Sequence, residues 1–87
     1  MNDIDFRAVV FATLRQIAPE TDPGTLDPDE ELRDQLDIDS MDFLNYVLGL
    51  NQATGIEITE RDYPRLSTIN RSVGYLSAHR QPAPAPG

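Results

Sequence analysis

Three stretches of this chain place apolar residues at every third or fourth position, the spacing that gives an α-helix one apolar face. In residues 3–17 these positions fall within an arc of about 140°, the width of a stripe that packs on a core. They are Phe6, Val9, Val10, Thr13, Leu14 and Ile17. The same spacing predicts helices over Ser40–Thr54 and Ile69–Ala78, and no stretch alternates as a half-buried strand does. In 87 residues without cysteine, the pattern predicts one small all-α bundle.

A long connection separates the first two predicted helices. Prolines and a glycine interrupt residues 18–39 and favour turns over regular structure. Four apolar residues recur within this connection and are expected to pin it to the core: Leu26, Leu32, Leu36 and Ile38. A loop of this length is uncommon unless it is functional or held down. We therefore expect a pinned loop with a short turn of helix at residues 29–35.

The second half of the chain carries further helix boundaries. Gly55 marks the end of the second helix, and residues 56–58 predict a short extended link. Thr59 and Asp62 have the spacing of a capping box, which predicts a short third helix ending near Leu66. Ser67 or Thr68 would cap the last helix. The fold expected is a four-helix bundle with a short third helix and a long first loop, over residues 1–80, followed by a disordered Pro/Ala tail at 81–87.

The charge of the chain is concentrated in one segment. Residues 20–42 hold ten acids and one base, Arg33, so that this segment carries −9 in a chain whose net charge is −8. This sign disfavours nucleic acid and anionic membranes as partners and favours basic proteins. No apolar run is long enough to span a bilayer, and residues 1–5 do not resemble a signal peptide. We expect a cytoplasmic monomer.

The helix predicted at Ser40–Thr54 has more apolar surface than one core-facing stripe requires. One group comprises Phe43, Tyr46, Val47 and Leu50, and the other comprises Met41, Leu44 and Leu48. Both groups would be buried if the helix were wrapped on most sides. The interpretation that we favour turns the first group towards the core and leaves Met41, Leu44 and Leu48 partly exposed beside Ser40. An apolar patch with an acidic rim is typical of a protein-binding surface.

Ser40 lies where the acidic loop becomes a helix. Serine and aspartate are common N-caps, which by itself explains such residues at most helix starts. Asp39 can serve as the cap, however, and would leave the Ser40 hydroxyl at the first helical position, pointing outward. A phosphate ester there would meet free backbone amides and the positive end of the helix dipole. Asp39 and Asp42 would repel such a charge and are better interpreted as docking contacts for a basic modifying enzyme.

These residues carry a resemblance to a known family. Residues 32–42, with the pattern LxxxLDIDSMD, and the run GIEI at 55–58 resemble the acyl carrier proteins, and the similarity extends to about Ala78. The resemblance implies a four-helix bundle in which Ser40 carries 4′-phosphopantetheine, attached as a phosphodiester from coenzyme A by a phosphopantetheinyl transferase. Acyl or aminoacyl groups would then be attached as thioesters to the thiol of this arm. The carrier itself would catalyse nothing.

The resemblance also implies which residues meet the partners. These would be the transferase, an acyl- or aminoacyl-activating ligase, and synthase or transferase enzymes with basic docking surfaces. The residues expected to contact them are Asp39, Met41, Asp42, Leu44 and Leu48.

The sequence departs from the carriers of bulk fatty acid synthesis. Asn45, Asn51 and Gln52 stand where those carriers usually have glutamates on the second helix, and Thr54 stands where an aromatic residue is common. These departures favour a stand-alone carrier for a specialised lipid, polyketide or peptide-type pathway.

Other functions fit the residues less well. A catalytic Ser40 would need a general base, and the single histidine, His79, follows the last predicted helix. Two acidic stretches resemble the start of an EF-hand loop but lack its glycine and final glutamate, so no metal site is expected. The alternative that remains is an unmodified acidic interaction module with a carrier-like fold.

Overall fold

The computed structural model describes residues 5–79, and within this range the chain is helical without a β-strand. Its elements are α1 (Phe6–Ile17), a 3₁₀ turn (Pro23–Thr25), α2 (Leu32–Leu36), α3 (Ser40–Thr54), a 3₁₀ helix (Glu60–Leu66) and α4 (Ile69–Ala78). The expected all-α bundle is confirmed. None of the described helices is long and apolar enough to cross a bilayer. The tail predicted at residues 81–87, and the start predicted for the first helix at residue 3, lie outside the described residues.

Helix α1 begins at Phe6 because Asp5 caps it. The Asp5 carboxylate accepts hydrogen bonds from the amides of Arg7 and Ala8, at 3.1 and 3.2 Å. The predicted stripe faces inward, and α1 packs against both α3 and α4. A Cβ atom at Gly49 would lie 2.7 Å from the Thr13 Cγ2 atom. Glycine at this position therefore allows α3 to approach α1 closely.

The core is formed by the apolar faces of all three long helices. Its most buried side chains are Val10, Leu14, Leu32, Tyr46, Leu50, Leu66, Ile69 and Leu76. The Tyr46 hydroxyl donates to the Ser72 Oγ atom at 2.7 Å, and Ser72 in turn donates to the Leu66 carbonyl oxygen at 3.2 Å. No buried side-chain nitrogen or oxygen among residues 5–79 lacks a hydrogen-bond partner. These bonds offset the cost of placing hydroxyl groups in the interior.

The long first loop is held against the bundle by burial and by hydrogen bonds. Leu32 is fully buried, and its amide donates to the Ser67 carbonyl oxygen at 2.8 Å. The Asn70 amide donates to the Pro28 carbonyl oxygen at 2.9 Å, and the Asn70 side chain donates to the Asp29 carboxylate at 2.6 Å. The turn of helix expected at residues 29–35 is observed as α2, Leu32–Leu36.

The capping box predicted for the short third helix is wrong. Thr59 is the N-cap residue, but its side chain caps no backbone amide, and its Oγ1 atom lies 3.5 Å from the Asp62 carboxylate. That carboxylate accepts a hydrogen bond from the Tyr75 hydroxyl at 2.9 Å. The Asp62 carboxylate therefore accepts from the Thr59 and Tyr75 hydroxyls and from no backbone amide at the start of its helix, which is a 3₁₀ helix.

Candidate functional site

The junction of α2 and α3 exposes the Ser40 hydroxyl. Ser40 is the first residue of α3 and is exposed, while Asp39 is the extended N-cap residue. The Asp39 carboxylate accepts from the Asp42 amide at 2.9 Å, and the Asp39 carbonyl oxygen accepts from the Phe43 amide at 3.0 Å. Asp39 therefore caps the helix, as predicted. The amides of Asp42 and Phe43 are therefore not free for a phosphate on Ser40, whereas those of Ser40 and Met41 have no acceptor within residues 5–79.

Arg33 is a neighbour of Ser40 to which the sequence analysis gave no role. Its Nη2 atom donates a hydrogen bond to the Ser40 Oγ atom at 3.3 Å. The contact depends on Asp37, whose left-handed backbone (φ 53°) ends α2 and turns the chain towards α3. The sequence signal that could have identified Arg33 is its position as the single base among ten acids in residues 20–42.

A groove opens beside Ser40, between α2, the start of α3 and the 3₁₀ helix. It encloses about 1010 Å³, and Ser40 forms part of its lining. Apolar surface comes from Ile38, Phe43 and Tyr63. The rings of Phe43 and Tyr63 meet edge to face, with their centroids 6.4 Å apart. The same groove is lined by Arg33 and Arg71 and by three acidic residues, so it carries charges of both signs. The sequence analysis assigned Phe43 to the core, but Phe43 is only partly buried because it borders this groove.

The two apolar groups of α3 lie on different sides of the helix. Tyr46, Val47 and Leu50 are buried, with at most 2% of their surface exposed. Met41, Leu44 and Leu48 are exposed by 66%, 36% and 48%. The exposure expected of these three side chains is therefore observed. We refer to Met41, Leu44 and Leu48 as the α3 patch; it adjoins Asp39 and Asp42 at the acidic start of the helix.

Within residues 5–79, the side chain that hydrogen-bonds the Ser40 hydroxyl is the Arg33 guanidinium, which is not a general base. A guanidinium group donates hydrogen bonds, accepts none and does not lose its proton in proteins. His79 follows α4, where its ring stacks on Tyr75 at 4.0 Å and one ring nitrogen lies 2.9 Å from the Tyr75 carbonyl oxygen. Within residues 5–79 no three acidic or histidine side chains are grouped to hold a metal ion.

The residues around Ser40 fit a group joined through a phosphate ester. The hydroxyl oxygen is exposed, it caps nothing, and the guanidinium that contacts it is a strong donor to phosphate oxygens. The adjoining groove leaves space beside this oxygen. The carboxylates of Asp39 and Asp42, close to Ser40 in the chain, disfavour a free anion. The site is therefore better suited to a covalently held phosphate than to a diffusing one.

Comparisons with known proteins agree with this chemistry. The family model described as "Phosphopantetheine attachment site" matches residues 8–76, from α1 into α4. An acyl carrier protein of Lactobacillus johnsonii is 32% identical over 59 residues, which are 68% of this chain and 74% of that protein. An acyl carrier protein of Rubrobacter xylanophilus is 27% identical over 59 residues, covering 68% of this chain and 73% of that protein.

A mitochondrial acyl carrier protein of Arabidopsis thaliana is 26% identical over 62 residues, which are 71% of this chain and 49% of that protein. The matched domain is the site of covalent 4′-phosphopantetheine attachment, and it supports a carrier role rather than a catalytic one. The family that residues 32–42 and 55–58 resemble is thereby confirmed. The chain belongs to the phosphopantetheine attachment-site family, the family of the acyl carrier proteins.

Proposed function

We propose that this protein carries acyl or aminoacyl groups on 4′-phosphopantetheine and that Ser40 is the residue to which the group is attached. The observation that carries the proposal is the division of roles at the start of α3. Asp39 caps the helix through its carboxylate, so that the exposed Ser40 hydroxyl is left for esterification. Ser40 also lies within the residues that the family model matches.

The attachment step requires a base, which we expect the transferase to supply. The Ser40 Oγ atom would attack the phosphorus next to the pantetheine portion of coenzyme A. The Oγ–P bond forms, the P–O bond to adenosine 3′,5′-bisphosphate breaks, and the hydroxyl proton passes to a base of the transferase. Once attached, the arm supplies a thiol that holds cargo as a thioester, which this cysteine-free chain cannot do itself.

The α3 patch and its acidic rim are the surface that we propose for partner enzymes. Exposed apolar side chains bordered by charge are common at protein interfaces. The patch lies on the same helix as Ser40, so that an enzyme docked there would have the arm beside it. Asp39 and Asp42 would attract the basic docking surfaces of a phosphopantetheinyl transferase, an activating ligase and synthase or transferase enzymes.

The exposed amides of α3 favour a specialised pathway over bulk fatty acid synthesis. Asn45 and Gln52 are exposed, so partners meet uncharged side chains there. Asn51 has a structural role, since its side chain donates to the Ile56 carbonyl oxygen at 2.7 Å, just beyond the end of α3. A partner of this carrier would therefore depend more on the acids at the start of α3 than on its later turns.

Intact-mass measurement tests the attachment. The purified apo protein is incubated with coenzyme A and a phosphopantetheinyl transferase of broad specificity. We expect the wild type to gain the mass of one phosphopantetheinyl group and Ser40→Ala to gain none. Ser77→Ala, which removes an exposed hydroxyl from α4, is the matched control and should be loaded like the wild type.

Two results would contradict the proposal. A mass gain that persists in Ser40→Ala would place the group elsewhere. A wild-type protein that is folded by circular dichroism but gains no mass would favour an unmodified acidic interaction module.

A further inference from the structure

Arg33 stands out because its guanidinium contacts Ser40 rather than one of the many nearby acids. Within residues 5–79, the ion pair with a nitrogen–oxygen distance of 4.0 Å or less is that of Arg65 with Asp62, and Arg33 takes part in none. Its recorded side-chain hydrogen bond is the one to the Ser40 Oγ atom. Exposed ion pairs contribute at most about 1 kcal/mol, so the Arg33 guanidinium is available to another anion near Ser40.

A phosphodiester on Ser40 would need a positive partner close at hand. It would carry one negative charge beside the carboxylates of Asp39 and Asp42, which repel it. The amides of Asp42 and Phe43 already donate to Asp39. The Arg33 guanidinium is the cationic group that hydrogen-bonds Ser40, and its planar donors match phosphate oxygens.

We propose that Arg33 is a positioning residue for the arm, whose guanidinium binds the phosphodiester on Ser40. The inference rests on the proposed function, because it requires Ser40 to be the attachment residue. The Nη2 atom already contacts the oxygen that would become the ester oxygen. The non-bridging phosphate oxygens carry the charge and are the better acceptors, so we expect the guanidinium to bind them after attachment. Arg33 lines the groove beside Ser40, so this contact would hold the start of the arm at the mouth of the groove.

Nuclear magnetic resonance on the loaded protein tests the contact directly. Wild type, Arg33→Gln, Arg33→Lys and Arg15→Gln are loaded enzymatically, and loading is verified by intact mass. Arg15 is exposed on α1 and serves as the distant control. The readouts are the Nε–Hε resonance of each arginine before and after loading, and the ³¹P transverse relaxation rate of the loaded protein.

We expect the Arg33 resonance to shift on loading and the Arg15 resonance to stay. The ³¹P signal should relax faster in the wild type and in Arg15→Gln than in Arg33→Gln, because a bound phosphate tumbles with the protein. Arg33→Lys should fall between them, since lysine keeps the charge but loses the planar donors. In the wild type, about 1 M salt should reverse most of the Arg33 shift, because the screening length is then about 3 Å.

The outcomes separate this inference from the proposed function. A wild type that takes up no phosphopantetheine would overturn the proposed function, and this inference with it. A loaded wild type whose Arg33 resonance stays unshifted, or whose ³¹P relaxation matches that of Arg33→Gln, would overturn the inference alone. Should Arg33→Gln fold or load poorly, the shift and its salt dependence in the wild type decide the question.

Discussion

At the scale of single residues, two neighbours at the start of α3 have different roles. Asp39 accepts a hydrogen bond from the Asp42 amide through its carboxylate, and Ser40 keeps an exposed hydroxyl. Either residue type can cap a helix, so composition alone does not decide which one does. The backbone decides it, because Asp39 is extended while Ser40 has already entered the helix.

Substitutions of Asp39 separate its role as a helix cap from the role of its negative charge in docking. Asp39→Ala should lower the free energy of unfolding by about 1 kcal/mol, the usual cost of losing an N-cap. Asp39→Asn keeps a capping side chain and should cost less, yet load phosphopantetheine more slowly because the transferase loses an acidic contact. Urea denaturation and loading kinetics measure the two effects. If Asp39→Asn were loaded at the same rate as the wild type, the Asp39 carboxylate would not be a docking contact.

Tyr46 should make the fold sensitive to alkaline pH. Burial raises the pKa of the Tyr46 phenol well above its ordinary value, and the hydrogen bond to Ser72 lowers it only in part. Above about pH 10 the unfolded chain ionises this group while the folded chain keeps the proton, so stability falls as pH rises. Tyr46→Phe should cost about 1 kcal/mol at neutral pH and lose less stability between pH 9 and about pH 11. Equal losses in both proteins, measured by urea denaturation, would contradict this.

At the scale of elements, backbone conformation at the helix ends determines how the helices meet. Gly55 ends α3 with a φ of 73°, and its amide donates to the Asn51 carbonyl oxygen at 2.8 Å. The chain can then continue into the link at residues 56–58, in which Ile56 is buried. Gly74 lies inside α4, where glycine has no conformational requirement.

The same substitution at these two glycines should therefore have opposite effects. No atom lies within 4 Å of a Cβ placed at either position, so packing does not interfere. Gly55→Ala should destabilise the protein by about 1 kcal/mol, because alanine disfavours a left-handed backbone. Gly74→Ala should stabilise it by about 0.5–1 kcal/mol through helix propensity. Thermal or urea denaturation of both variants checks the signs, and a stabilising Gly55→Ala would contradict the left-handed helix end.

At the scale of the whole molecule, Ser40 lies at one edge of the core. The acidic loop before it is held against the bundle, and α3, which it begins, has one buried face and one exposed face. The buried face of α3 packs on α1 and is joined to α4 by the Tyr46–Ser72 hydrogen bond, and the exposed face carries the α3 patch. The packing of the core thus determines which way Ser40 and the α3 patch face, although neither is needed for the stability of the fold. A carrier needs this arrangement, because its partners must reach the arm and the docking surface together.

Two leucines of α3 test this division of the helix. Leu48→Ala should cost less than about 1 kcal/mol, since Leu48 is 48% exposed. Leu50→Ala should cost about 2–5 kcal/mol, since Leu50 is fully buried. Leu48→Asp should keep the fold yet raise the KM of a phosphopantetheinyl transferase for the carrier. Urea denaturation and loading kinetics measure both, and an unfolded Leu48→Asp would mean that this side chain belongs to the core.

Much of the architecture follows from local patterns, while the contacts of the site do not. Helical spacing predicts the three long helices, and the excess apolar surface of α3 predicts an exposed stripe. Neither pattern reveals that Arg33 reaches Ser40, because that contact depends on the left-handed turn at Asp37. The capping box fails for a similar reason, since Asp62 is bound by Tyr75 from another helix. Contacts between side chains of different elements depend on how those elements meet, which the local patterns do not show.

Fragment-ion mass spectrometry of the enzymatically loaded protein tests the central claim most directly, because it identifies the side chain that carries the group. The chain offers four serines, Ser40, Ser67, Ser72 and Ser77, of which Ser72 is fully buried. The account predicts one phosphopantetheinyl group, borne by the fragment that contains Ser40 and by no other. A group found on any other residue, with Ser40 unmodified, would contradict it.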